Sequence, residues 1–160
     1  VFNLALQYVQ NTEDAEDITQ EVFVSIYKKL SSFREEAELS TWIYRIAINR
    51  SLDFIKSKKR IKRFSVFTSL FFENTNTLKH DLGSFDHPGV ELEQKEALAN
   101  IFLLINQLPD NQKTVLILLK IEGRSQKEVA EILNKSEKAV ESLIQRARSN
   151  LEKMLRTAKE

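Results

Sequence analysis

Apolar residues recur along most of this chain at three- and four-residue intervals, the spacing of helices that bury one stripe. Residues 1–10 open inside such a pattern and predict a first helix that ends near Asn11-Thr12. A second helix starts there, because Glu13, Asp14, Glu16 and Asp17 crowd a first turn whose dipole favours acids. Its stripe is Ile18, Val22, Ile26 and Leu30, and Lys28-Lys29 suit its C-terminal end. A polar loop from Ser31 to Glu38 precedes a third helix, predicted from near Ser40 to about Arg60. The periodicity then breaks over 61–93, where Asn, Thr, Ser, Gly and Pro gather at Asn74–Thr77 and Gly83–Gly89. It resumes in a helix over about 94–107 and in another that opens at Pro109 and stops at Gly123. Ser125-Gln-Lys-Glu128 reads as a capping box that starts a short helix to about Leu133. After Asn134-Lys135, Ser136 caps a long last helix with the stripe Val140, Ile144, Ala147, Leu151 and Leu155.

The fold class expected is therefore all-α, with two small helical domains joined by a flexible linker. The boundaries are 1–63, 64–93 for the linker, and 94–160. Only 3 Gly and 2 Pro in 160 residues leave few hairpin turns and favour helices. With no Cys, disulfides and thiolate metal sites are excluded. The densest apolar run, Val115 to Leu119, is too short for a membrane span, and no signal peptide is visible. Because Val1 stands within a helical pattern and is not Met, the first helix is expected to be truncated. The Phe-rich stretch Phe64–Phe72 is unusual for a linker. It fits either packing onto a neighbouring domain or a surface for a partner.

Charge changes the picture once it is read in blocks. The net charge is only +1, but residues 1–38 carry −5, 39–63 carry +7, 64–93 carry −4 and 94–160 carry +3. Exposed charges act over roughly 10 Å, so the blocks decide what the chain meets. At 100° per residue, Ile43, Tyr44, Ala47, Ile48, Leu52, Phe54 and Ile55 share one arc of the third helix, which is expected to be buried. Trp42, Arg45, Asn49, Asp53, Lys56 and Arg60 form the opposite ridge, and Lys58-Lys59 and Lys62-Arg63 extend its charge. An indole among cations suits unpaired bases, which stack while their phosphates meet the charges. The same indole also fits a structural place against the Phe33 loop.

The last two helices have the proportions of a helix-turn-helix: short capped helix, tight turn, longer helix. Lys138, Ser142, Gln145 and Ser149 face away from the buried stripe, with Glu141, Arg146 and Arg148 on the flanks. Such side chains suit base edges in a major groove, although an ordinary helical hairpin has the same outline.

On these residues the chain resembles the extracytoplasmic-function (group IV) sigma factors of bacterial RNA polymerase. Asp14-Ala-Glu-Asp-Ile-Thr-Gln-Glu-Val-Phe23 is similar to the family's core-binding helix. Phe33-Arg34, Ser40-Thr-Trp-Ile-Tyr-Arg-Ile-Ala47 and Asn49 are similar to its promoter-melting and −10 segment. Leu108-Pro109, Glu122-Gly-Arg-Ser125, Glu128-Val-Ala130, Arg146-Ala-Arg148 and Leu151 are similar to its −35 domain. The resemblance implies that residues 1–63 form sigma region 2, a three- or four-helix domain, and that 94–160 form region 4. It implies core-polymerase contacts at Asp14, Asp17, Gln20 and Glu21. Unpaired −10 bases would meet Phe33, Leu39, Ser40, Thr41, Trp42, Arg45, Asn49, Lys56 and Arg60. The −35 duplex would meet Arg124, Lys138, Glu141, Ser142, Gln145 and Arg146. Glu141 departs from the Lys or Arg common there; a carboxylate repels phosphate but can accept from cytosine N4.

The partners implied are core RNA polymerase, promoter DNA and an anti-sigma factor, with no membrane insertion and no cofactor or metal. The expected place is the cytoplasm, at the nucleoid or held near the membrane by the anti-sigma factor. Two rivals remain: a polymerase-binding adaptor without sigma activity, which leaves the Trp42 ridge idle, and a plain helix-turn-helix regulator, which leaves the first 60 residues unexplained. An enzyme is disfavoured. His80 and His87, beside Asp81 and Asp86, lie in the linker away from any pocket, and RNA synthesis would belong to the polymerase.

Overall fold

At several turns of the chain a capping side chain or a left-handed residue satisfies a helix end. The computed structural model describes the backbone of residues 1–71 and 92–157 and the side chains of 1–61 and 98–157. Helix α1 (Phe2–Val9) stops at Gln10, whose left-handed conformation (φ 58°) lets its N–H close on the Leu6 carbonyl. Asn11 then caps α2 (Thr12–Lys29) by accepting from the Asp14 N–H at 2.8 Å. A single 3₁₀ turn, Leu30–Ser32, ends α2, and α3 runs from Leu39 to Phe71.

That length corrects the sequence reading of the third helix, which ended it near Arg60. Loss of apolar periodicity removes a packing signal and does not by itself end a helix. Neither Gly nor Pro occurs between Leu39 and Phe71, so nothing in the backbone stops the helix. The side chains of Phe64–Phe72 lie outside the described residues, as do His80 and His87, so both readings of the Phe-rich stretch stay open.

In the second half, α4 (Leu92–Gln107) leads to α5 (Asp110–Leu116), which passes into a π-helical turn, Ile117–Ile121. There the Glu122 N–H reaches back to the Ile117 carbonyl at 2.9 Å, and Gly123 takes φ +66°. Helix α6 (Gln126–Leu133) begins with the expected capping box and ends at left-handed Asn134 (φ 52°). Ser136 accepts from the Ala139 N–H at the start of α7 (Glu137–Thr157).

Helices α1, α2 and α3 pack on one another around Leu4, Ala5, Ala15, Ile18, Val22, Ala47 and Ile48. Phe102, Ile105, Val115, Leu118, Val129, Ile132, Val140, Ile144 and Ala147 fill the other half. Two predicted stripes are shorter than expected, since Leu30 and Leu155 are exposed. Of the α3 arc, only Ala47 and Ile48 are fully buried; its other members are half-buried. Arg50 pins α3 to α2 by donating to the buried Ser25 hydroxyl at 3.0 and 3.2 Å.

The halves also pack on each other, which the sequence did not foretell. The Tyr8 hydroxyl of α1 donates to Thr114 Oγ1 of α5 at 2.8 Å, with both residues about 1–2% exposed. The buried Lys113 ammonium lies 5.8 Å from the Tyr8 ring centre. Burial pushes the Tyr8 phenol well above its ordinary value and the Lys113 ammonium below its own.

Candidate nucleic-acid and partner interfaces

Three surfaces carry the predicted residues, and the fold treats them differently. On α2, Asp17, Gln20 and Glu21 are exposed. Asp14 is not free: its carboxylate pairs with Lys58 of α3, and its own side chain is only 16% exposed. The sequence reading missed apolar members of this surface. Phe23, Val24 and Tyr27 are exposed, Tyr27 by 85%. They stand three, four and seven positions after Gln20, a second helical stripe opposite the buried one. That spacing is present in the sequence, but periodicity alone does not tell an exposed apolar stripe from a buried one.

The second surface is the α3 ridge and the loop before it. Trp42 is half-buried, its ring centre 5.1 Å from that of Phe33 at an interplanar angle of 44°. The structural place for the indole is thus real, and one of its faces is occupied by Phe33. Leu39, Ser40, Asn49, Lys56 and Arg60 are exposed, whereas Thr41 is buried (7%) and serves the fold rather than the surface. Lys56 pairs with Asp110 of α5 at 3.3 Å. Arg45 donates from Nη2 to the Glu131 carbonyl at 2.7 Å and from Nε to the Ile132 carbonyl at 3.0 Å. These are among the last carbonyls of α6, where the helix dipole attracts a cation; that of Glu131 also accepts from the Asn134 N–H.

The third surface is the helix-turn-helix. Val140, Ile144 and Ala147 hold α7 against α5 and α6, which leaves Lys138, Glu141, Gln145 and Arg146 exposed and Ser142 half-buried on the outer face. Arg124, predicted to join them, points elsewhere. Its guanidinium donates to Glu128 Oε1 at 3.0 Å and to the Tyr44 hydroxyl at 2.8 Å, and it stacks 4.8 Å from the Tyr44 ring centre. Tyr44 in turn donates to Glu122 Oε2 at 2.9 Å, and the Gln7 amide donates to Glu122 Oε1 at 2.6 Å. Burial and the neighbouring Glu122 raise the Tyr44 phenol. The Ser125 hydroxyl and backbone N–H, then Arg124, pull the Glu128 carboxyl down to about 2. No sequence signal pointed to Gln7, Tyr44 and Glu122 as one cluster, because their partners lie 78 and 115 positions apart.

Among the described residues no cluster of His, Asp and Glu is arranged to hold a metal ion, and no helix is long and apolar enough to cross a membrane. What the surfaces can do is bind: a partner on α2, stacked bases and phosphates on the ridge, a duplex groove on α7.

Comparison with known proteins finds relatives of both halves. Residues 1–61 match the family model described as Sigma-70 region 2, and residues 98–151 match Sigma-70, region 4. RNA polymerase sigma-H factor of Pseudomonas aeruginosa is 31% identical over 136 residues, covering 83% of this chain and 68% of that one. The ECF RNA polymerase sigma factor SigW of Bacillus subtilis is 32% identical over 156 residues, covering 98% and 83%. Two solved structures share the fold. The sigma factor RpoE bound to the anti-sigma factor NepR, from Bartonella quintana, has a TM-score of 0.60, 22% identity, and coverage of 97% of this chain and 89% of that one. CnrH in complex with the cytosolic domain of CnrY has a TM-score of 0.64, 24% identity, and coverage of 98% and 80%.

Proposed function

The chain belongs to the extracytoplasmic-function sigma factors of RNA polymerase, and on that premise we propose which of its surfaces performs each part of the task. As a sigma factor it binds core RNA polymerase and directs promoter recognition at initiation. In our reading residues 1–63 are the core-binding and −10 unit, 64–93 the connection, and 94–160 the −35 unit. Asp17, Gln20 and Glu21, joined by Phe23, Val24 and Tyr27, form the face offered to the polymerase. An exposed apolar stripe flanked by acids supports this, since lone exposed apolar residues need no explanation but a contiguous stripe does.

Phe33, Leu39, Ser40, Trp42, Arg45, Asn49, Lys56 and Arg60 receive the unpaired −10 strand: the aromatic pair offers a stacking platform and the cations take phosphates. Lys138, Glu141, Ser142, Gln145 and Arg146 read the −35 duplex from the outer face of α7, with Glu141 accepting from a cytosine N4. The protein acts in the cytoplasm at the nucleoid, needs no cofactor and performs no catalysis of its own. One structure of the same fold contains an anti-sigma factor, which supports such a partner here.

The observation that carries this reading is the order, in one chain, of an acidic and apolar α2 face, a Trp-centred basic ridge and an exposed helix-turn-helix face. It is tested by reconstituting the chain with core RNA polymerase and selecting promoters from random DNA. The expected result is enrichment of two separated elements, with single-stranded contact confined to the downstream one. Co-purification with core polymerase but no enriched element would leave only an adaptor; no co-purification would leave only a helix-turn-helix regulator.

A further inference from the structure

One cavity differs from its neighbours in charge. It is an open space of about 330 Å³ between α3, α5 and the turn after α6. Arg45 and Lys135 bring two cations to it, and among the described residues no acid lines it. Two other cavities hold carboxylates: Glu13 and Asp14 in one, and Glu38, Glu128 and Glu131 in the other. Asp110, next to Asn111 in the chain, is already paired with Lys56. Of the three cavities, this one repels an anion least.

Arg45 is also held in place. Its Nε and Nη2 donate to the Ile132 and Glu131 carbonyls, which fixes the guanidinium plane and leaves the Nη1 protons for another acceptor. A cation fixed in advance loses little freedom when it binds. Lys135 is exposed and follows the left-handed Asn134 that ends α6. The exposed amides of Asn49 and Asn111 line the same space. Each offers a donor and an acceptor side by side, the complement of adenine N7 and N6. Ile48, Leu52 and Leu133 add an apolar wall against which a flat ring can lie.

Cations for a phosphate, amides for a base edge and an apolar wall for a base face together describe one class of ligand. We propose that this cavity is a site for a free adenine mononucleotide, its phosphate at Arg45 and Lys135 and its base against the apolar wall within reach of the Asn111 amide. The space lies at the lower end of the roughly 300–1,000 Å³ usual for small-molecule sites, which suits one nucleotide rather than a strand. Arg45 and Asn49 also belong to the proposed −10 surface. Lys135, Asn111 and Leu133 do not, so the site stands apart from that assignment.

Calorimetric titration of the full-length free chain with AMP tests the site, with inorganic phosphate, adenosine and GMP as comparison ligands. One AMP per chain should bind saturably, with phosphate and adenosine each at least about ten-fold weaker. Lys135→Gln should weaken AMP about ten-fold and Asn111→Ala about five-fold; both residues are exposed, so the fold is kept. Lys127→Gln removes an exposed cation from the cavity that holds Glu128 and should leave AMP affinity unchanged. No AMP bound at about 1 mM would overturn the site. So would phosphate bound as tightly as AMP, or an equal loss in Lys127→Gln, since either means charge attraction alone. GMP bound as tightly as AMP would overturn the adenine assignment. A single-stranded oligonucleotide without terminal phosphate that excludes AMP and shows the same Lys135 dependence would make the cavity part of a strand-binding surface. That result would overturn the free-ligand assignment.

Discussion

The α3 ridge and the outer face of α7 are both polar faces of amphipathic helices, yet one is engaged within the chain and the other is clear. On α7, Lys138, Glu141, Gln145 and Arg146 stand in solvent on a helix held by Val140, Ile144 and Ala147. On α3, Trp42 leans on Phe33, Arg45 caps α6 and Lys56 pairs with Asp110. A duplex groove is a standing shape that a rigid helix can meet without rearranging. Unpaired bases exist only after melting, and a surface for them can rest on other partners until then. On the proposed assignment, polar faces of two amphipathic helices thus become a ready reader on one and an occupied one on the other, according to what packs nearby.

The largest effect should come from the join that makes the difference. Tyr8→Ala removes a buried ring and its bond to Thr114 and should cost about 3–5 kcal/mol in urea unfolding. A loss under about 1 kcal/mol would mean that the halves do not share a core. Next is Trp42→Ala, which should weaken binding of the unpaired −10 strand by about 1–3 kcal/mol while −35 duplex affinity is unchanged, as two titrations would show. Equal affinity of the parent for single-stranded and duplex −10 DNA would count against the ridge.

Glu141→Gln should relax base preference at one −35 position by about 1–3 kcal/mol and leave the −10 selection alone, read from a promoter-selection profile. A profile identical at every −35 position removes the base-reading role. A smaller effect is expected from the capping box. Ser125→Ala should cost about 1 kcal/mol near neutrality. The Glu128 carboxyl is depressed to about 2 in the fold, so its contribution is complete above the ordinary carboxylate range near 4.3 and fades as pH falls through about 2. The Ser125→Ala penalty, followed by thermal melts at several pH values, should shrink over that window. Smallest of all, Lys138→Ala and Arg146→Ala should change stability by less than about 0.5 kcal/mol, because both side chains are exposed. Arg45→Ala, by contrast, should be measurably destabilising.

The sequence alone determined what depends on neighbours close in the chain. Helix periodicity, the Asp14-rich start of α2, the Ser125–Glu128 box and the Ser136 cap all rest on residues within four positions, and each is found where it was expected. The family follows from the same local pieces in their order. Three features were beyond it. The run of α3 to Phe71 has no helical apolar period in the sequence to announce it, and the π-helical turn before Glu122 has no composition of its own. The third is the join. Whether Arg45 faces DNA or the end of α6 and whether Tyr44 meets Glu122 depend on residues 78 to 87 positions away. Helix propensity and capping act over one turn. Which helix covers which face is settled by packing the whole chain, so the occupied state of the ridge belongs to the tertiary structure alone.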